Sequence, residues 1–504
     1  MRADLRLPCT AGLLALALAG CDPAAPDPAP VQDTTTVRLG DVAFEPCSLS
    51  APMGNAVEAR CATIEVPEDH GQPDGRRIEL AVAWVESRGN AQPDPVVMIA
   101  GGPGQSALES YPLLHRAFRD TLRNRDVLLV DARGTGGSNL LACRDEEGNN
   151  AFTDPEDHSA EGARRFAEAC RDQLSEQADL RFYGTADHVR DLELVRQRVG
   201  APQLNLVGIS YGTRVAQQYA AAYPAHTRTV LLDGVVPNDL PLGSEHAVNL
   251  EDALEVLFQR CRDDSACAGN LGDPADNLAI VLERLEAGGL EPVEYRDPVS
   301  GQWTSEVPEY GHLAALLRMY AYQPAATATL PLLLSEAREG RYQSLLAQAR
   351  MLMGDLGDSI AHGMQLSVTC TEDYPDLQDR PGDAGTVLGT ELLDFTRAQC
   401  EAWPRGKRAP GFREPLATDV PLLAISGEFD PVTPPRYGEA VAAGLPNARH
   451  LVLPGQGHNV LPAGCMPSLA AQFFESADAS TLDASCLERL QPVPPFAGTY
   501  GWEP

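Results

Sequence analysis

The sequence predicts an α/β fold with a mostly parallel central sheet, helices on both faces and an inserted helical lid. Three observations indicate this. Short apolar runs, typical of strands buried on both faces, alternate with helix-length segments in residues 95–232. Residues 233–418 then show successive helical patterns with almost no buried-strand pattern. Two further apolar runs follow at 421–425 and 450–453, and strand patterns on both sides of a helical block are typical of a lid inserted into a sheet.

The composition is that of a folded protein with an acidic surface. The chain has 504 residues, of which 43% are hydrophobic and 22% are charged, which excludes a mainly disordered or fibrous protein. The formal net charge is −32. Because phosphate backbones repel such a surface, we expect no nucleic-acid partner.

The N-terminus has the layout of an export signal. Arg2 and Arg6 precede an apolar run at residues 13–19, and small residues lead to Cys21. The run is too short to span a bilayer. The four residues that end at Cys21 resemble a bacterial lipobox, so we expect this cysteine to carry a lipid, with ordinary secretion as the alternative. The protein is therefore expected in the periplasm or at the cell surface, in contact with a membrane only through that anchor.

The cysteines predict disulfides instead of metal ligands. Of the twelve, Cys9 would leave with the signal and Cys21 would carry lipid, which leaves an even number of ten. Export places them in an oxidising compartment, and no CxxC pair is present, which argues against a zinc site. No nucleotide-binding fingerprint is present either, so we expect neither a metal nor another cofactor. Pairing of sequence neighbours closes five short loops. The expected pairs are Cys47–Cys61, Cys143–Cys170, Cys261–Cys267, Cys370–Cys400 and Cys465–Cys486.

The elements of the core follow in chain order. Residues 37–85 contain short alternating segments, including 76–85, which predict an antiparallel entry to the sheet. Buried strands are then predicted at 95–100, 126–130, 204–207, 230–232, 421–425 and 450–453, and core helices at 160–177, 186–199 and 213–223.

Five helical patterns define the lid, at 250–261, 276–287, 309–322, 329–340 and 342–353. The predicted organisation is a signal peptide (1–20), a Pro-rich tether (21–36), the first part of the core (37–239), the lid (240–417), the second part of the core (418–491) and a C-terminal tail (492–504).

A candidate nucleophile lies in Gly208-Ile209-Ser210-Tyr211-Gly212, between a predicted strand and a predicted helix. A strand that turns abruptly into a helix crowds the backbone, which explains glycines on both sides of the serine. The Ser210 hydroxyl would then be exposed beside a helix N-terminus, where amides stabilise negative charge.

The candidate base is His458, in a Gly-rich loop after a predicted strand, and the candidate acid is Asp430, after the preceding strand. Taken singly, each is also typical of an ordinary loop residue. The order Ser210, Asp430, His458 is that of α/β hydrolases, in which the acid orients the imidazole and the imidazole moves the proton. Glu428 is the alternative acid, but the end of the strand favours Asp430.

Two backbone amides would stabilise the oxyanion. One is the amide of Tyr211, which follows the nucleophile. The other belongs to the glycine-rich loop 101–104, where missing side chains let substrate approach the backbone. Pro103 has no N–H, so Gly102 is preferred and Gly104 is the alternative.

These motifs resemble the prolyl iminopeptidase family of α/β hydrolases, and especially its exported tripeptidyl-aminopeptidase branch with its TAP-like C-terminal region. Ala100 replaces the histidine of that family's HGGPG loop. The resemblance implies an exo-acting serine peptidase that cleaves peptides with a free N-terminus and takes its specificity from the lid. It rests on Ala100-Gly101-Gly102-Pro103-Gly104, the DxRGxGxS motif at 131–138, Ser210-Tyr211-Gly212-Thr213-Arg214, Asp430-Pro431-Val432-Thr433-Pro434 and Gly457-His458.

An exopeptidase needs an anion for the substrate ammonium. Cys370-Thr371-Glu372-Asp373 resembles a segment of the same branch, which makes Glu372 the first candidate and Asp373 the second; a solvated acid is the alternative for each. Asp131 and Arg133 are expected to pair with each other and hold their loop.

Three functions remain open at this stage. The first is an aminopeptidase, and the second is a carboxylesterase or lipase that uses the same triad on small esters. The third is a non-catalytic surface binding protein, against which the ordered set of serine, acid and histidine argues.

Overall fold

The computed structural model describes residues 36–51, 54–144 and 159–502, without the side chains of 353–358. The predicted signal peptide and Cys21 lie outside the described residues, as does all of the tether except Thr36. Within the described ranges, no helix is both long and apolar enough to cross a membrane.

A single ten-stranded sheet forms the core, in the order β1-β2-β3-β4-β6-β5-β7-β8-β11-β12. The pairs from β1 to β4, and β4 with β6, are antiparallel, and the other pairs are parallel. The predicted parallel sheet with an antiparallel entry is thereby confirmed. The strands are β1 (Val37–Leu39), β2 (Val42–Leu49), β3 (Val57–Pro67), β4 (Arg77–Val85), β5 (Val96–Ile99), β6 (Val127–Val130), β7 (Leu204–Ile209), β8 (Thr227–Asp233), β9 (Val293–Arg296), β10 (Trp303–Glu306), β11 (Leu422–Gly427) and β12 (Ala448–Leu453).

Helices cover both faces of this sheet, and the parallel strands are apolar on both sides. In β5, Val97 and Ile99 pack in the core cluster of one face, while Val96 and Met98 pack in that of the other. This burial on both faces explains why the strand reads as a continuous apolar run. The helices are α1 (Ala107–Leu114), α2 (Ala160–Leu174), α3 (Thr185–Val199), α4 (Tyr211–Ala222), α5 (His246–Asp263), α6 (Ser265–Leu271), α7 (Pro274–Ala287), α8 (Tyr310–Tyr320), α9 (Pro324–Thr327), α10 (Leu330–Arg338), α11 (Gln343–Asp358), α12 (His362–Glu372), α13 (Glu391–Ala402), α14 (Pro435–Ala443) and α15 (Met466–Ser476).

The lid lies between β8 and β11 in the chain and has a hydrophobic cluster of its own, which includes Leu250, Leu313 and Leu334. It departs from the predicted all-helical lid because β9 and β10 form an antiparallel hairpin. The hairpin carries no buried-strand pattern because it is largely exposed, with Trp303 75% accessible.

The helices α12 and α13 also differ from the prediction, which assigned them to the lid. Val368 of α12, Cys400 of α13 and Trp403, which follows α13, pack in the cluster of the core sheet that also contains residues of α2. The segment that returns from the lid is therefore part of the packing around the sheet.

All ten cysteines of the described chain form disulfides, in the five pairs that the sequence analysis expected. Cys370–Cys400 joins α12 to α13, and Cys261–Cys267 joins α5 to α6. Each bond closes a loop of at most 30 residues, so the disulfides stabilise local segments.

Candidate active site

Ser210 occupies a strained turn between β7 and α4. Its backbone has φ 55° and ψ −121°, a region that a residue with a side chain rarely adopts. A Cβ on Gly208 would lie 2.5 Å from the carbonyl oxygen of Gly212, and one on Gly212 would lie 2.3 Å from that of Ile99. Neither contact is sterically allowed, so both glycines are required, and the turn presents Ser210 at the carboxyl edge of the parallel strands.

Asp430 and His458 meet at the same edge, after β11 and β12. The Nδ1 atom of His458 lies 2.7 Å from Oδ2 of Asp430 and 3.1 Å from the Thr433 hydroxyl. Oδ1 of Asp430 accepts hydrogen bonds from the amides of Val432 and Thr433, at 2.9 and 2.8 Å. The carboxylate is thereby fixed, and Nδ1–H donates to it, which leaves Nε2 as a proton acceptor.

The electrostatics of this pair favour its charged form. Burial alone would raise the pKa of Asp430, but the charge and hydrogen bond of His458 and the two amides hold that pKa below its usual range. Burial alone would lower the pKa of His458, but the charge and hydrogen bond of Asp430 raise it above its usual value. Each group therefore stabilises the charge of the other.

Asp233, at the end of β8, connects the nucleophile to the histidine loop. Its carbonyl accepts a hydrogen bond of 2.8 Å from the Ser210 amide, and its carboxylate accepts 2.8 and 2.9 Å bonds from the amides of Val460 and Leu461. Burial raises the pKa of Asp233 to about 6, although these amides oppose the shift. Its signal in the sequence is the one that singled out Asp430: an acid that ends an apolar strand.

The residue after Asp233 packs against the histidine ring. A Cβ on Gly234, which follows Asp233, would lie 2.9 Å from Cε1 of His458. Within the described part of the chain, no hydrogen bond joins the Ser210 hydroxyl to His458. Catalytic hydrogen bonds are often long without substrate and shorten in the complex.

The glycine-rich loop after β5 lies against the nucleophile, since a Cβ on Gly101 would be 3.0 Å from Cβ of Ser210. Among the described residues, neither the Gly102 amide nor the Tyr211 amide has an acceptor. Gly102 is exposed, whereas Gly104 is buried and its carbonyl accepts the amide of Ala361. The two amides named from the sequence are therefore available to an incoming oxyanion.

Glu428, the alternative acid, points elsewhere. Its carboxylate accepts hydrogen bonds from Arg260 and from the amide of Gly455, at 2.8 and 2.6 Å, and its side chain is 42% exposed. It holds the loop before His458 without touching the ring.

Comparison with known families agrees with this arrangement. Residues 94–258 match the family described as alpha/beta hydrolase fold, and residues 387–486 match the family described as TAP-like protein. The two matches together cover just over half of the chain, and they include all the strands and loops that carry Ser210, Asp430 and His458.

The chain has the α/β-hydrolase fold.

Three curated relatives of this α/β hydrolase are informative. The serine protease Hip1 of Mycobacterium tuberculosis is 26% identical over 89% of this chain and 92% of its own. The tripeptidyl aminopeptidase of Streptomyces lividans is 26% identical over 74% of this chain and 73% of its own. Carboxylesterase B of M. tuberculosis is 34% identical over 43% of this chain and 42% of its own.

The hydrolase buries both of the acids that the sequence analysis named for a substrate N-terminus. Glu372 accepts hydrogen bonds from the amide and the hydroxyl of Thr185, at 2.6 and 2.8 Å, and that hydroxyl contacts the Tyr211 phenol at 2.6 Å. Burial and the nearby Asp373 raise the pKa of Glu372 to about 7. Glu372 thus supports the residue after the nucleophile and is not open to substrate.

Asp373 forms a buried ion-pair cluster. Its carboxylate binds Arg214 at 3.0 Å and Arg413 at 3.0 Å, and it accepts the amide of Leu242 at 2.8 Å. Asp373 and Arg214 have no accessible surface. The structure therefore does not bring this carboxylate to the site, and it gives Asp373 a structural role.

We expect Asp373→Asn to lower the free energy of unfolding by about 3 to 5 kcal/mol, because it leaves a buried arginine without its counter-charge. Urea denaturation measures this change. Asp172→Asn is the matched control: it breaks a pair with Arg171 whose acid is 70% exposed, so its cost should stay below about 1 kcal/mol. Full stability of Asp373→Asn, combined with a raised KM, would show that Asp373 binds substrate after all.

The DxRGxGxS loop is held as expected, but by other partners. Asp131 accepts hydrogen bonds from the Ser106 hydroxyl and from the Gly137 amide, at 2.7 and 3.0 Å. Arg133, fully buried, makes two 2.7 Å bonds to the carboxylate of Asp191. Asp131 and Arg133 therefore do not pair with each other, and each ties the loop to a different element.

The lid contributes a residue to the site that the sequence analysis missed. The Tyr322 carbonyl, just after α8, accepts the amide of His458 at 3.0 Å, and the Tyr322 ring stands edge-on to the imidazole at 5.0 Å. Aromatic residues at the end of a lid helix are common, so the sequence carried no signal for it. Among the described residues, no group of three or more acids, histidines or cysteines could hold a metal ion.

Proposed function

We propose that this α/β hydrolase is a serine aminopeptidase that releases one or a few residues from the N-terminus of peptides. One observation carries the chemistry: Ser210 lies on a strained turn beside two amides without acceptors, at the edge where His458 and Asp430 form a 2.7 Å pair. This is the arrangement required for acyl transfer to a serine.

In the proposed mechanism, His458 Nε2 removes the proton of Ser210 as the hydroxyl oxygen attacks the substrate carbonyl. The amides of Gly102 and Tyr211 stabilise the oxyanion, and Asp430 stabilises the imidazolium. His458 then donates its proton to the leaving amine, and an acyl-enzyme on Ser210 remains. A water molecule, deprotonated by the same imidazole, hydrolyses this ester and restores the serine.

The relatives support peptides as substrates over esters. The serine protease matches 89% of this chain and the tripeptidyl aminopeptidase 74% of it. The carboxylesterase match covers less than half of it. It nevertheless makes hydrolysis of small esters the second candidate function.

We further propose that the protein is exported and anchored through Cys21. Five disulfides support an oxidising compartment, because such bonds form and persist outside the cytosol. The anchor itself rests on the lipobox-like segment before Cys21.

Chromogenic substrates test the activity. We expect hydrolysis of Ala-p-nitroanilide or Ala-Ala-Ala-p-nitroanilide, with kcat/KM at least about 100-fold lower for the N-acetylated forms, since acetylation removes the ammonium charge. The anilide that is cleaved faster shows whether the protein releases one residue or three. Hydrolysis of p-nitrophenyl butyrate with no cleavage of either anilide would establish the esterase instead, and equal rates for free and acetylated anilides would exclude an aminopeptidase.

A further inference from the structure

Arg318 lies on the lid beside the catalytic histidine. It occupies the last turn of α8, four residues before Tyr322, which follows the end of that helix. Burial raises the pKa of the Tyr322 hydroxyl, and the charge of Arg318 and a hydrogen bond from its side chain oppose that rise, so the guanidinium lies beside the hydroxyl. Since the Tyr322 ring and carbonyl both contact His458, Arg318 is placed over the histidine side of the site.

His246, at the start of α5, supports this placement from a second element. Burial first, and then the charges of Arg318 and His458, lower the pKa of His246 to about 3. The His246 ring is therefore neutral, and it interacts electrostatically with both Arg318 and His458. Gly457 fixes the contact between lid and core, because a Cβ there would lie 2.5 Å from the Tyr322 carbonyl oxygen.

Arg318 has no carboxylate partner within 4.0 Å in the described chain, although it is only partly exposed. In a chain of net charge −32 this is unusual. Partly buried arginines elsewhere in the lid segment are paired, as Arg380 is with Glu245 and Arg262 is with Glu255. An unpaired guanidinium beside an active site is suited to an anionic ligand, because its planar donors match a carboxylate.

The chemistry decides which part of the substrate meets this cation. His458 must donate its proton to the leaving amine, so the leaving portion of the peptide lies beside the imidazole. The Tyr322 ring covers the imidazole, and Arg318 lies beside the Tyr322 hydroxyl, so we infer that both face the leaving portion and not the acyl portion. A short leaving portion carries a carboxylate, either at its C-terminus or on an acidic side chain.

We propose that Arg318 and the Tyr322 hydroxyl form a carboxylate-binding subsite for the leaving portion of the substrate. The inference rests on the proposed peptidase function and specifies its substrate class: short peptides whose leaving residue bears a carboxylate near the scissile bond. The two sources of that carboxylate are distinguished by experiment.

The probes extend the preferred anilide acyl group by one residue. If Ala-Ala-Ala-p-nitroanilide is preferred, they are Ala-Ala-Ala-Ala, Ala-Ala-Ala-Ala-NH2 and Ala-Ala-Ala-Asp-NH2; if Ala-p-nitroanilide is preferred, they are Ala-Ala, Ala-Ala-NH2 and Ala-Asp-NH2. We expect kcat/KM of the wild-type protein to be about 10- to 100-fold higher for the free acid than for the amide. Recovery of the rate with the aspartate amide would show that a side-chain carboxylate also binds. If the rate does not recover, the subsite accepts only the C-terminal carboxylate.

In Arg318→Gln the ratio of acid to amide should fall to about one, with Arg318→Lys intermediate because it keeps the charge and loses the planar fork. Arg296→Gln is the control: it removes the same charge from the exposed hairpin, where Arg296 bonds only a carbonyl, and should keep the wild-type ratio. Equal wild-type rates for acid and amide would overturn the proposal, as would an unchanged ratio in Arg318→Gln. Failure to cleave any anilide would refute the peptidase function instead.

Discussion

Replacing Ser210 with alanine is expected to lower kcat for the preferred anilide by about 10⁴- to 10⁶-fold, the largest effect of any substitution considered for this protein. The variant cannot form the acyl-enzyme, and what remains is hydrolysis assisted by the two oxyanion amides. The same substitution should abolish labelling by a fluorophosphonate probe, which mass spectrometry would locate on Ser210 in the wild-type protein.

Ser110→Ala is the matched control for this experiment. Ser110 lies on α1, and its hydroxyl bonds only the Ser106 carbonyl. It should keep wild-type activity and labelling. If the Ser210 variant still reacted with the probe and cleaved the anilide at wild-type rates, the nucleophile would lie elsewhere and the proposed mechanism would have to be abandoned.

Asp430→Asn is expected to lower kcat by about 10⁴-fold while the protein stays folded. An amide at this position can donate to Nδ1 of His458, which stabilises the tautomer with its proton on Nε2, and that tautomer cannot accept the Ser210 proton. Steady-state kinetics and a thermal unfolding curve measure the two effects. Glu428→Gln is the control, since its carboxylate lies in the adjacent loop, touches Arg260 in place of the histidine and should cost little activity.

The Asp430→Asn variant should also change the pH dependence of activity, in a direction that follows from the pKa of His458. The charge and hydrogen bond of Asp430 raise the pKa of His458, and the imidazole acts as a base only when neutral. Activity therefore falls as the pH drops through that pKa. In the asparagine variant the pKa of His458 is lower, so the acidic limb of the residual kcat/KM should move to lower pH. A limb that stays in place would indicate that another group controls it.

Much of this site could be predicted from the sequence because the ends of buried strands can be recognised in the sequence. Ser210, Asp430 and His458 each follow an apolar run, and parallel strands bring their carboxyl ends together. The partners of the buried polar side chains that follow the lid could not be predicted in the same way. Glu372 and Asp373 looked like free acids, and only the tertiary structure reveals Thr185 and Arg214, distant in sequence, as their partners.

The lid was predicted less completely, for a related reason. Helical periodicity reports which face of a helix is buried but not which neighbour buries it. The segment of α12 and α13 was therefore assigned to the lid, although these helices pack around the sheet. Tyr322 was treated as an ordinary residue after a helix, although it contacts His458. Its role depends on where α8 is docked, which local sequence does not specify.

The insertion of the lid between β8 and β11 has a consequence for biosynthesis. These strands are direct neighbours, with Leu231 opposite Leu423, yet the whole lid is translated between them. During synthesis, β8 presents an unpaired edge until β11 has been made and has docked. The nucleophile strand is made early, whereas the acid and the histidine come last. We therefore expect no activity before β11 and β12 have joined the sheet, because the loops of Asp430 and His458 follow those strands.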